Sequence, residues 1–510
     1  MPTPPTETEL KLQLAAGHAA RVRQSTALSG SDCSEVNIDN VYYDTRDLLL
    51  RRHRMSLRLR QIDGYWVQTL KTATESGGAV ARRGEWEVRA RVVRGLGKVD
   101  VSRLSDSPLP ELLAKQKARA KLEPVFKTSV HRTLWNVERS NAIIEVALDV
   151  GDITAKPDDV VLQESICEVE LELKHGEPSA LVEFALELLK ADGERSPALT
   201  PVVRSKAERG HQLVSQQRPP AIKASAKGFV KNLARRSSTG SALRSVISHG
   251  LTVVMANIEL LLRYDDPEYV HQARVALRRA RSAIRLFDRE ERDVPGRLSD
   301  ELRWLARALG AARDWDVIAG ETLPALNDAI GADAVKLLVA KANLKRRQAH
   351  VNIRKAARSS RYAALVLNLE KWCMTAVPDG TALVGDVAAP ALKGASKKLF
   401  KRACFFAALS ASQRHRVRIL AKRLRYTLDL FAVAFPKHAT ARYIEALAEL
   451  QDTLGQLNDA AVAKAVLPGL SKSSRLKRAA SIWFDSVEPD LVHDAERRLL
   501  KLFSSQKPWQ

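Results

Sequence analysis

Cysteine is scarce in this chain of 510 residues. The four cysteines, Cys33, Cys167, Cys373 and Cys404, lack the paired spacing of zinc sites and disulfide frameworks, so we expect reduced thiols. The N-terminus lacks a basic-then-apolar signal peptide, and no apolar run reads as long enough to span a bilayer. A cytosolic location without a membrane partner is therefore expected.

Aromatic residues are also few, at 5% of the chain, and 59 acidic residues face 82 Lys and Arg. The net charge of +23 favours an anionic partner such as nucleic acid, anionic lipid or a phosphate polymer. Base-stacking platforms place aromatic side chains among basic ones, and the aromatic residues do not interleave with the basic stripes of the helical half, residues 271–281 and 415–425. We therefore expect no specific nucleic-acid partner, whereas salt-sensitive, sequence-blind RNA binding stays open.

The chain does contain enough hydrophobic residues, 45%, to fill the cores of two or three domains. Residues 7 to about 175 alternate apolar and polar positions in short segments, such as 85–89 and 166–174, which predicts a β-rich domain over 1–212. Residues 179–190 predict a helix that covers it. A linker at 213–227 then leads to amphipathic helices over 228–505.

The helical part contains an internal repeat. Residues 271–281 align without gaps with residues 415–425, and the downstream segments 309–317 and 454–462 also match. Two matched elements in one order indicate duplication, which predicts two repeats at about 228–375 and 399–505. The Gly-, Pro- and Ala-rich stretch 377–398 reads as a long connection between them.

Charged residues occupy alternate positions on several predicted strands, so each set projects from one face. The sets are Glu7, Glu9 and Lys11; Arg58 and Arg60; Glu85 and Glu87; Glu145 and Asp149; and Glu168, Glu170, Glu172 and Lys174. A solvated face explains any single strand. Five strands that separate carboxylates from arginines instead favour a closed barrel with a polar lumen, where carboxylates hold a divalent cation and basic groups hold phosphates.

These segments resemble, in order, the motifs of the CYTH family, the triphosphate tunnel metalloenzymes. The resemblance begins with Glu-x-Glu-x-Lys at 7–11, continues through Lys71 and residues 83–87, and ends at 205–210. It implies an eight-stranded antiparallel tunnel in which Mg²⁺ or Mn²⁺ orients a triphosphate and basic side chains grip its oxygens.

The residues that match the family's motifs receive implied roles. The implied metal ligands are Glu7, Glu9, Glu168 and Glu170. The implied catalytic residues are Glu7, Glu9, Lys11, Glu85, Glu87, Glu145 and Asp149. The implied substrate-binding residues are Lys11, Arg58, Arg60, Lys71, Arg132, Lys174 and Lys206, with Lys127 as the alternative to Arg132.

Each copy of the helical repeat carries a basic stripe, because a helix turns about 100° per residue. The stripes are His271, Arg274, Arg278 and Arg281, and His415, Arg418, Lys422 and Arg425. A solvated basic surface would explain a single stripe. It explains the pair less well, because the stripe recurs with a histidine at the same position. The half resembles the CHAD family, conserved-histidine α-helical domains, which implies two pseudo-symmetric four-helix bundles that bind polyphosphate through these residues.

The combined expectation is an α+β multidomain protein that hydrolyses tripolyphosphate to pyrophosphate and phosphate. Its expected partners are tripolyphosphate and long-chain polyphosphate, and the sequence leaves its oligomeric state open. The alternative is a non-catalytic polyphosphate-binding protein associated with polyphosphate granules.

Overall fold

The computed structural model describes residues 6–510 except 16, 63–64, 73–77, 94–95, 116–120, 140, 232, 288–293 and 378–381. The chain divides into two compact units. The barrel unit contains Met1–Ala221, Leu262–Tyr264 and Ala357–Met374, and the helical unit contains Ile222–Leu261, Asp265–Ala356 and Thr375–Gln510. The first boundary lies inside the predicted linker 213–227, whereas the two short segments come from sequence that reads as part of the helical half.

The barrel unit contains the strands found in the described part of the chain. They are β1 Thr6–Leu14, β2 Cys33–Thr45, β3 Ser56–Ile62, β4 Tyr65–Lys71, β5 Val80–Arg89, β6 Arg91–Val93, β7 Leu96–Lys98, β8 Leu122–Arg139, β9 Ala142–Ala155, β10 Leu162–His175 and β11 Leu199–Val202. Eight of them pair in the order β10-β9-β8-β2-β3-β4-β5-β1, and β1 pairs again with β10, which closes the ring. The predicted eight-stranded antiparallel barrel is therefore confirmed.

Helices begin in the barrel unit and then dominate the chain. They are α1 Ala19–Arg23, α2 Leu49–Arg52, α3 Leu109–Ala114, α4 Ser179–Leu188, α5 Lys206–Ser215, α6 Ala226–Val230, α7 Thr239–Arg263, α8 Pro267–Phe287, α9 Gly296–Val317, α10 Asn327–Ile330, α11 Ala332–Ala357, α12 Ser360–Met374, α13 Val384–Ala403, α14 Ala411–Phe431, α15 Lys437–Leu470 and α16 Ser474–Ser504. The predicted helix at 179–190 is α4.

Alternation along the strands sends apolar side chains outward and charged ones into the lumen. Leu10 and Leu12 of β1 are fully buried on the outer side, where α4 packs against β1 and β10. Helix α12 then packs on α4 and β11 within the same unit. A polar lumen leaves the outer wall apolar, and these helices remove that wall from water.

Among the described residues, the helical unit contains four long helices before α12, namely α7, α8, α9 and α11, and four after it, α13 to α16. The two sets share a core, because buried residues of 318–342 form one cluster with buried residues of 463–484. The rings of Phe287 and Phe431, which end the two basic helices, meet edge to face with centroids 5.5 Å apart.

The prediction that 377–398 forms a long connection is wrong from residue 384 onward. Val384, Ala388, Leu392 and Leu399 recur at helical spacing and are buried, and they lie in α13. Composition suggested a loop because Gly385, Pro390 and Gly394 are frequent breakers, but the apolar periodicity outweighs them. Residues 378–381 of that prediction lie outside the described residues.

The prediction that no apolar run reaches membrane-spanning length is also wrong on length alone. Helix α7 has 25 residues and a window of mean hydropathy 1.5, so it passes a length and composition test for a bilayer span. Within the structure, 72% of that window is buried. Such burial is typical of a core helix, and core helices pass the same length and composition test.

Candidate functional sites in the barrel lumen and among the helices

The barrel encloses a lumen of about 530 Å³ lined mainly by charged side chains. Every lumen residue named from the sequence lines it except Glu168, which lies buried at one end. Of the two alternatives on β8, Arg132 lines the lumen and Lys127 is exposed outside it. Their roles remain predictions, but the geometry gives only Arg132 access to a molecule in the lumen.

Three carboxylates form the most compact acidic group in the described part of the chain. Oxygens of Asp149 on β9 and of Glu168 and Glu170 on β10 lie within 4.8 Å of one another. Lys206, at the start of α5, places its Nζ 2.7 Å from Asp149 Oδ2, 2.5 Å from Glu168 Oε1 and 3.0 Å from Glu170 Oε1. The ammonium thus holds the position that a cation bound by all three would take. We call these residues the acidic triad.

Arg132 supports the acidic triad from β8. Its Nε and Nη2 donate to the two oxygens of Asp149 at 2.7 Å each, and Nη2 also donates to Glu170 Oε2 at 2.9 Å. Burial by itself raises the pKa of Asp149 and Glu170, but Lys206 and Arg132 outweigh it and hold both pKa values below the ordinary range. The two groups are therefore ionised at neutral pH.

Glu7 and Glu9 belong to a second charged group on β1. Lys71 Nζ lies 2.7 Å from Glu7 Oε2, and Arg83 Nε donates to the same oxygen at 3.0 Å. Arg83 also pairs with Glu9, as does Lys11. Burial would raise the pKa of Glu7, but Lys71 and Arg83 lower it well below its ordinary value.

The predicted metal set of Glu7, Glu9, Glu168 and Glu170 is therefore brought together only in part. Glu168 and Glu170 belong to the acidic triad, and Lys11 pairs with Glu9 and lies 3.7 Å from Glu170, whereas Glu7 pairs with Lys71 and Arg83. The register explains this, because β1 pairs with β10 so that Glu9 lies opposite Glu172 and Lys11 lies opposite Glu170. Glu168 faces Gln13 of β1 and Asp149 of β9. With about 3.3 Å of rise per strand residue, Glu7 lies far along the tunnel from Glu168, and Asp149 takes its place in the group.

Two arginines of β3 lack a close carboxylate partner. Arg60 Nε donates to the neutral Asn40 Oδ1 at 2.9 Å, and Arg58 Nη2 lies 3.9 Å from its nearest carboxylate, Glu85. Burial, together with Arg58 and Arg132, lowers the pKa of Arg60 to about 10. Arg58 and Arg60 thus present guanidinium groups that a bound anion can contact without breaking a close ion pair.

The remaining predicted lumen residues lie between these groups. Lys174 Nζ lies 2.7 Å from Glu172 and 3.4 Å from Glu145, and Glu87 Oε2 accepts a hydrogen bond from Thr69 at 3.1 Å. Burial raises the pKa of Glu172 despite Lys174. The raised pKa of Glu172 makes its carboxylate a stronger base than an ordinary glutamate, as a proton acceptor requires.

Sequence reasoning missed Arg209, which supports the acidic triad from behind. Its Nη1 lies 2.8 Å from Glu168 Oε2 and its Nε lies 2.6 Å from Glu164 Oε1, and Arg263 pairs with the same Glu164. The available signal was the Ser205–Glu208 capping box, which fixes the start of α5 and places Lys206 and Arg209 three residues apart on one face. Arg83 was missed as a site residue although it alternates with Glu85.

Glu370 of α12 binds the backbone that begins β5. Its carboxylate accepts from the N–H of Val80 at 3.5 Å and from that of Ala79. Gly78 adopts φ +99°, and a Cβ there would lie 2.1 Å from Glu370 Oε2. Burial raises the pKa of Glu370 to about 7. No sequence pattern indicated this contact, because it joins residues almost three hundred positions apart.

A second cavity, of about 350 Å³, lies among the helices of the helical unit. The first repeat contributes His271, Arg274 and Arg278, and the second contributes His415, Arg418 and Lys422. The downstream matched elements add Arg313, Asp314, Asn458 and Asp459. The two stripes of the repeat therefore face one space, which we call the cationic cavity.

Arg281 and Arg425, the fourth members of the two predicted stripes, do not line the cationic cavity. Each lies ten residues beyond its histidine, about 15 Å further along the helix axis. Arg425 Nη1 donates to Gln451 Oε1 at 3.3 Å. Arg281 lies near Arg303 and Arg274, which together with burial lower its pKa.

Positive charge exceeds negative charge inside the cationic cavity. Burial, followed by Arg418, Arg278 and Arg274, lowers the pKa of Lys422 to about 7. Burial and Arg313 also lower the pKa of His271. Each cation makes it harder for the next to hold a proton, so an anion in the cavity would relieve the repulsion.

The matched downstream elements contact one residue of each stripe. His415 Nδ1 lies 2.5 Å from Asn458 Oδ1, and Arg274 Nη2 lies 3.9 Å from Asp314 Oδ1. Gly310 makes room for Arg274, because a Cβ at 310 would lie 2.7 Å from Arg274 Nη1. At Gly455, the equivalent glycine of the second repeat, a Cβ would meet nothing within 4 Å.

Family models match both parts of the chain, the CYTH domain at residues 5–204 and the CHAD domain at residues 245–468. An inorganic triphosphatase from Haemophilus influenzae is 33% identical over 182 residues, which are 35% of this chain and 47% of that protein. The chain thus aligns with about half the length of this curated relative.

Two solved structures give weaker likenesses. A CHAD domain from the plant Ricinus communis is 30% identical with a TM-score of 0.48, covering 57% of this chain and 98% of that one. An adenylyl cyclase homologue from Hippeastrum, described as having a dominant triphosphatase activity, is 18% identical with a TM-score of 0.30, covering 42% and 98%. With both TM-scores below 0.5, functional inference rests on the family matches and on the two sites.

Proposed function

The chain joins a CYTH domain to a CHAD domain, and from this premise we propose that it is a metal-dependent inorganic triphosphatase. The reaction is the hydrolysis of tripolyphosphate to pyrophosphate and phosphate. The observation that carries the proposal is the closed lumen, in which Asp149 and Glu170 of the acidic triad line the same space as Arg58 and Arg60, two arginines without a close carboxylate partner. The Haemophilus relative, named as an inorganic triphosphatase, supports the same reaction.

The lumen residues differ in how freely they can bind phosphate. Arg58 and Arg60 can accept phosphate oxygens without losing a close ion pair. Lys71 and Arg132 are held by carboxylates, so they bind substrate by exchanging one anionic partner for another. We therefore propose that Arg58 and Arg60 make the first contacts with the substrate.

The acidic triad fits a hard divalent cation such as Mg²⁺ or Mn²⁺, because its three carboxylates present oxygen donors within a small space. Lys206 would give up that position when a cation binds. Such a cation would neutralise phosphoryl charge and activate water. Glu7 would contribute charge and orientation rather than accept a proton, since Lys71 and Arg83 keep its pKa low. Glu172, with its raised pKa, is better suited to take the proton of the attacking water.

We propose that the cationic cavity binds inorganic polyphosphate. The surplus of buried cations on facing helices is the observation that favours this ligand over a neutral one. A flexible chain of phosphates offers many equivalent oxygens, so it can satisfy Arg274, Arg278 and Arg418 together. A cytosolic site, including the surface of polyphosphate granules, is part of the same proposal.

One observation favours the alternative of a non-catalytic polyphosphate-binding protein. Lys206 forms ion pairs with all three carboxylates of the acidic triad without any metal, which is also how an inactive barrel would be stabilised. Activity measurements separate the two proposals, because only the enzyme needs Lys206 to yield to a cation.

The test is phosphate release by the full-length protein from tripolyphosphate, ATP and long-chain polyphosphate, with Mg²⁺, with Mn²⁺ and with chelator. Glu170→Gln removes a charge from the acidic triad, and Glu138→Gln makes the same change at an exposed site on β8. We expect metal-dependent turnover of tripolyphosphate that Glu138→Gln retains and Glu170→Gln loses. Absence of turnover with retained polyphosphate binding would establish the non-catalytic alternative.

A further inference from the structure

The end of α13 and the turn after it form an exposed surface rich in lysine and aromatic residues. The side chains of Phe405, Leu500 and Phe400 are 86%, 66% and 53% exposed. Phe400 of α13 and Phe503 of α16 meet edge to face with centroids 4.9 Å apart, which places the two helix ends side by side. We call this the basic aromatic surface; its cations are Lys393, Lys397, Lys398, Lys401 and Arg402, all exposed.

The turn itself forces one aromatic ring into solvent. Helix α13 ends at Ala403, and Phe405 then adopts φ 54° and ψ 46°, a left-handed conformation that L-residues with a side chain rarely adopt. The next residue, Phe406, is buried and opens a short 3₁₀ turn that contacts α16. Because Phe406 is anchored inside the unit, Phe405 points outward, and the backbone conformation of the turn fixes this exposure.

The five cations keep their charge available. Within the part of the chain that the structure describes, none of them forms an ion pair with a carboxylate. They cluster within ten residues of the helix end that carries Phe400 and leads into Phe405. An exposed apolar patch rimmed by unpaired cations indicates an interaction site for an anionic partner with an apolar interior.

We propose that the basic aromatic surface binds anionic lipid bilayers, with Phe405 and Leu500 entering the headgroup region while the lysines contact lipid phosphates and carboxylates. A bilayer supplies both halves of this complementarity, an anionic plane and an apolar layer beneath it. A polyphosphate chain would pair with the lysines but would leave Phe405 in water. A second copy of the surface would bring two sets of five cations together, which repel.

This inference is independent of the proposed triphosphatase activity, and it is opposite to the sequence expectation of no membrane partner. The binding is peripheral: the contact is made by side chains at two helix ends, and α7 remains inside its unit. Lipid binding at this surface would hold the protein at a bilayer, and the barrel lumen and the cationic cavity would still be free to bind their phosphate ligands.

The experiment is co-sedimentation of the full-length protein with phosphatidylcholine vesicles, with or without about 30 mol% phosphatidylserine. We expect binding to the anionic vesicles at least about tenfold stronger than to neutral ones, and weakened by salt. Phe405→Asp should weaken it by about tenfold or more. Ile482→Asp makes a similar change at a 60% exposed apolar residue of α16, outside the basic aromatic surface, and should not weaken vesicle binding.

Three outcomes would overturn the proposal. The first is equal binding by the wild type and Phe405→Asp, since a purely electrostatic contact needs no aromatic insertion. The second is equal weakening by Ile482→Asp, since the loss would then not be local. The third is no vesicle binding together with dimerisation that Phe405→Asp abolishes, which would assign the surface to self-association. Matched thermal unfolding of both variants verifies that each is folded.

Discussion

Lys206 Nζ lies 2.7 Å from Asp149 Oδ2, inside the carboxylate group that is best arranged for a divalent cation. In the ligand-free barrel, the buried ammonium of Lys206 therefore neutralises part of the carboxylate charge that a metal ion would neutralise when bound. Burial opposes the charge of Lys206, but Asp149, Glu168 and Glu170 raise its pKa above the ordinary value. Metal binding and the Lys206 ion pairs are thus competing ways to neutralise the same site.

Lys206→Met should make barrel stability depend on metal. Removing one partner of a buried charge cluster costs about 3–5 kcal/mol, because the three carboxylates of the acidic triad would then be balanced only by Arg132, Arg209 and the more distant Lys11. Mg²⁺ should recover a large part of that loss, so its stabilising effect should be larger in the variant than in the wild type. Thermal unfolding with and without Mg²⁺, beside the exposed Lys127→Met, measures this. Equal metal effects in all three proteins would contradict the competition.

Arg132→Gln should lower kcat/KM for tripolyphosphate by about 10- to 100-fold, because it removes a charge-assisted contact in the lumen. Lys127→Gln, five residues away on the same strand but exposed, should change it less than about twofold. Steady-state phosphate release gives both numbers. A larger loss from Lys127→Gln would reverse the assignment of the lumen-facing residue on β8.

Gly310→Ala should weaken polyphosphate binding by about three- to tenfold, since the new methyl group displaces Arg274 Nη1 from its place above the helix. The clash is with the end of a flexible side chain, so folding should not suffer. Gly455→Ala meets nothing within 4 Å and should bind normally. Both variants should gain up to about 1 kcal/mol of stability from helix propensity. Calorimetric titration with polyphosphate, paired with thermal unfolding, separates the two effects; equal affinities would refute this role for Gly310.

Polyphosphate should bind more tightly at pH 6.5 than at pH 8.5, by roughly tenfold. The pKa of Lys422 is about 7 in the free protein, and a bound polyanion would raise it. Its contribution to affinity is therefore complete below the free pKa and is lost as pH rises from about 7 toward the pKa of the bound state. Lys422→Arg, which stays charged, should flatten the profile. Long chains should be used so that titrating terminal phosphates contribute little.

Glu370→Gln should stabilise the barrel unit at pH 8 by up to about 3 kcal/mol. The folded state raises the pKa of Glu370 from 4.5 to about 7, so ionising it costs stability. That cost is absent below about pH 4.5, grows as pH rises, and is complete above about pH 7. At pH 4.5 the variant and the wild type should therefore unfold at similar temperatures. A stability difference that does not change with pH would show that the effect is packing alone.

The sequence predicted which face each lumen residue occupies, because strand alternation has a period of two and needs no tertiary information. It did not predict height along the tunnel, which depends on the register between strands far apart in sequence. Alternation therefore could not test the metal set that the family resemblance implies, Glu7 and Glu9 with Glu168 and Glu170, whereas the register aligns Glu168 with Asp149.

The helical stripes show the same division between local and long-range information. Periodicity correctly directed His271, Arg274 and Arg278 toward the facing stripe of the second repeat. It could not show that the cationic cavity ends before Arg281 and Arg425, because helix packing sets its length. Contacts such as Arg209 with Glu168, or Glu370 with Val80, depend on chain crossings that no local pattern encodes.

Helix α12 falls within the sequence matched as CHAD, yet it is built into the barrel unit, with Tyr362, Leu367 and Leu369 fully buried. The boundary between the two families in sequence is therefore not a boundary in the folded protein. A fragment ending at residue 221 would leave α4 and β11 bare on the side that α12 covers, and aggregation could then be mistaken for loss of catalysis. Deleting the second half of the chain would therefore also remove a helix that shields the first half from water.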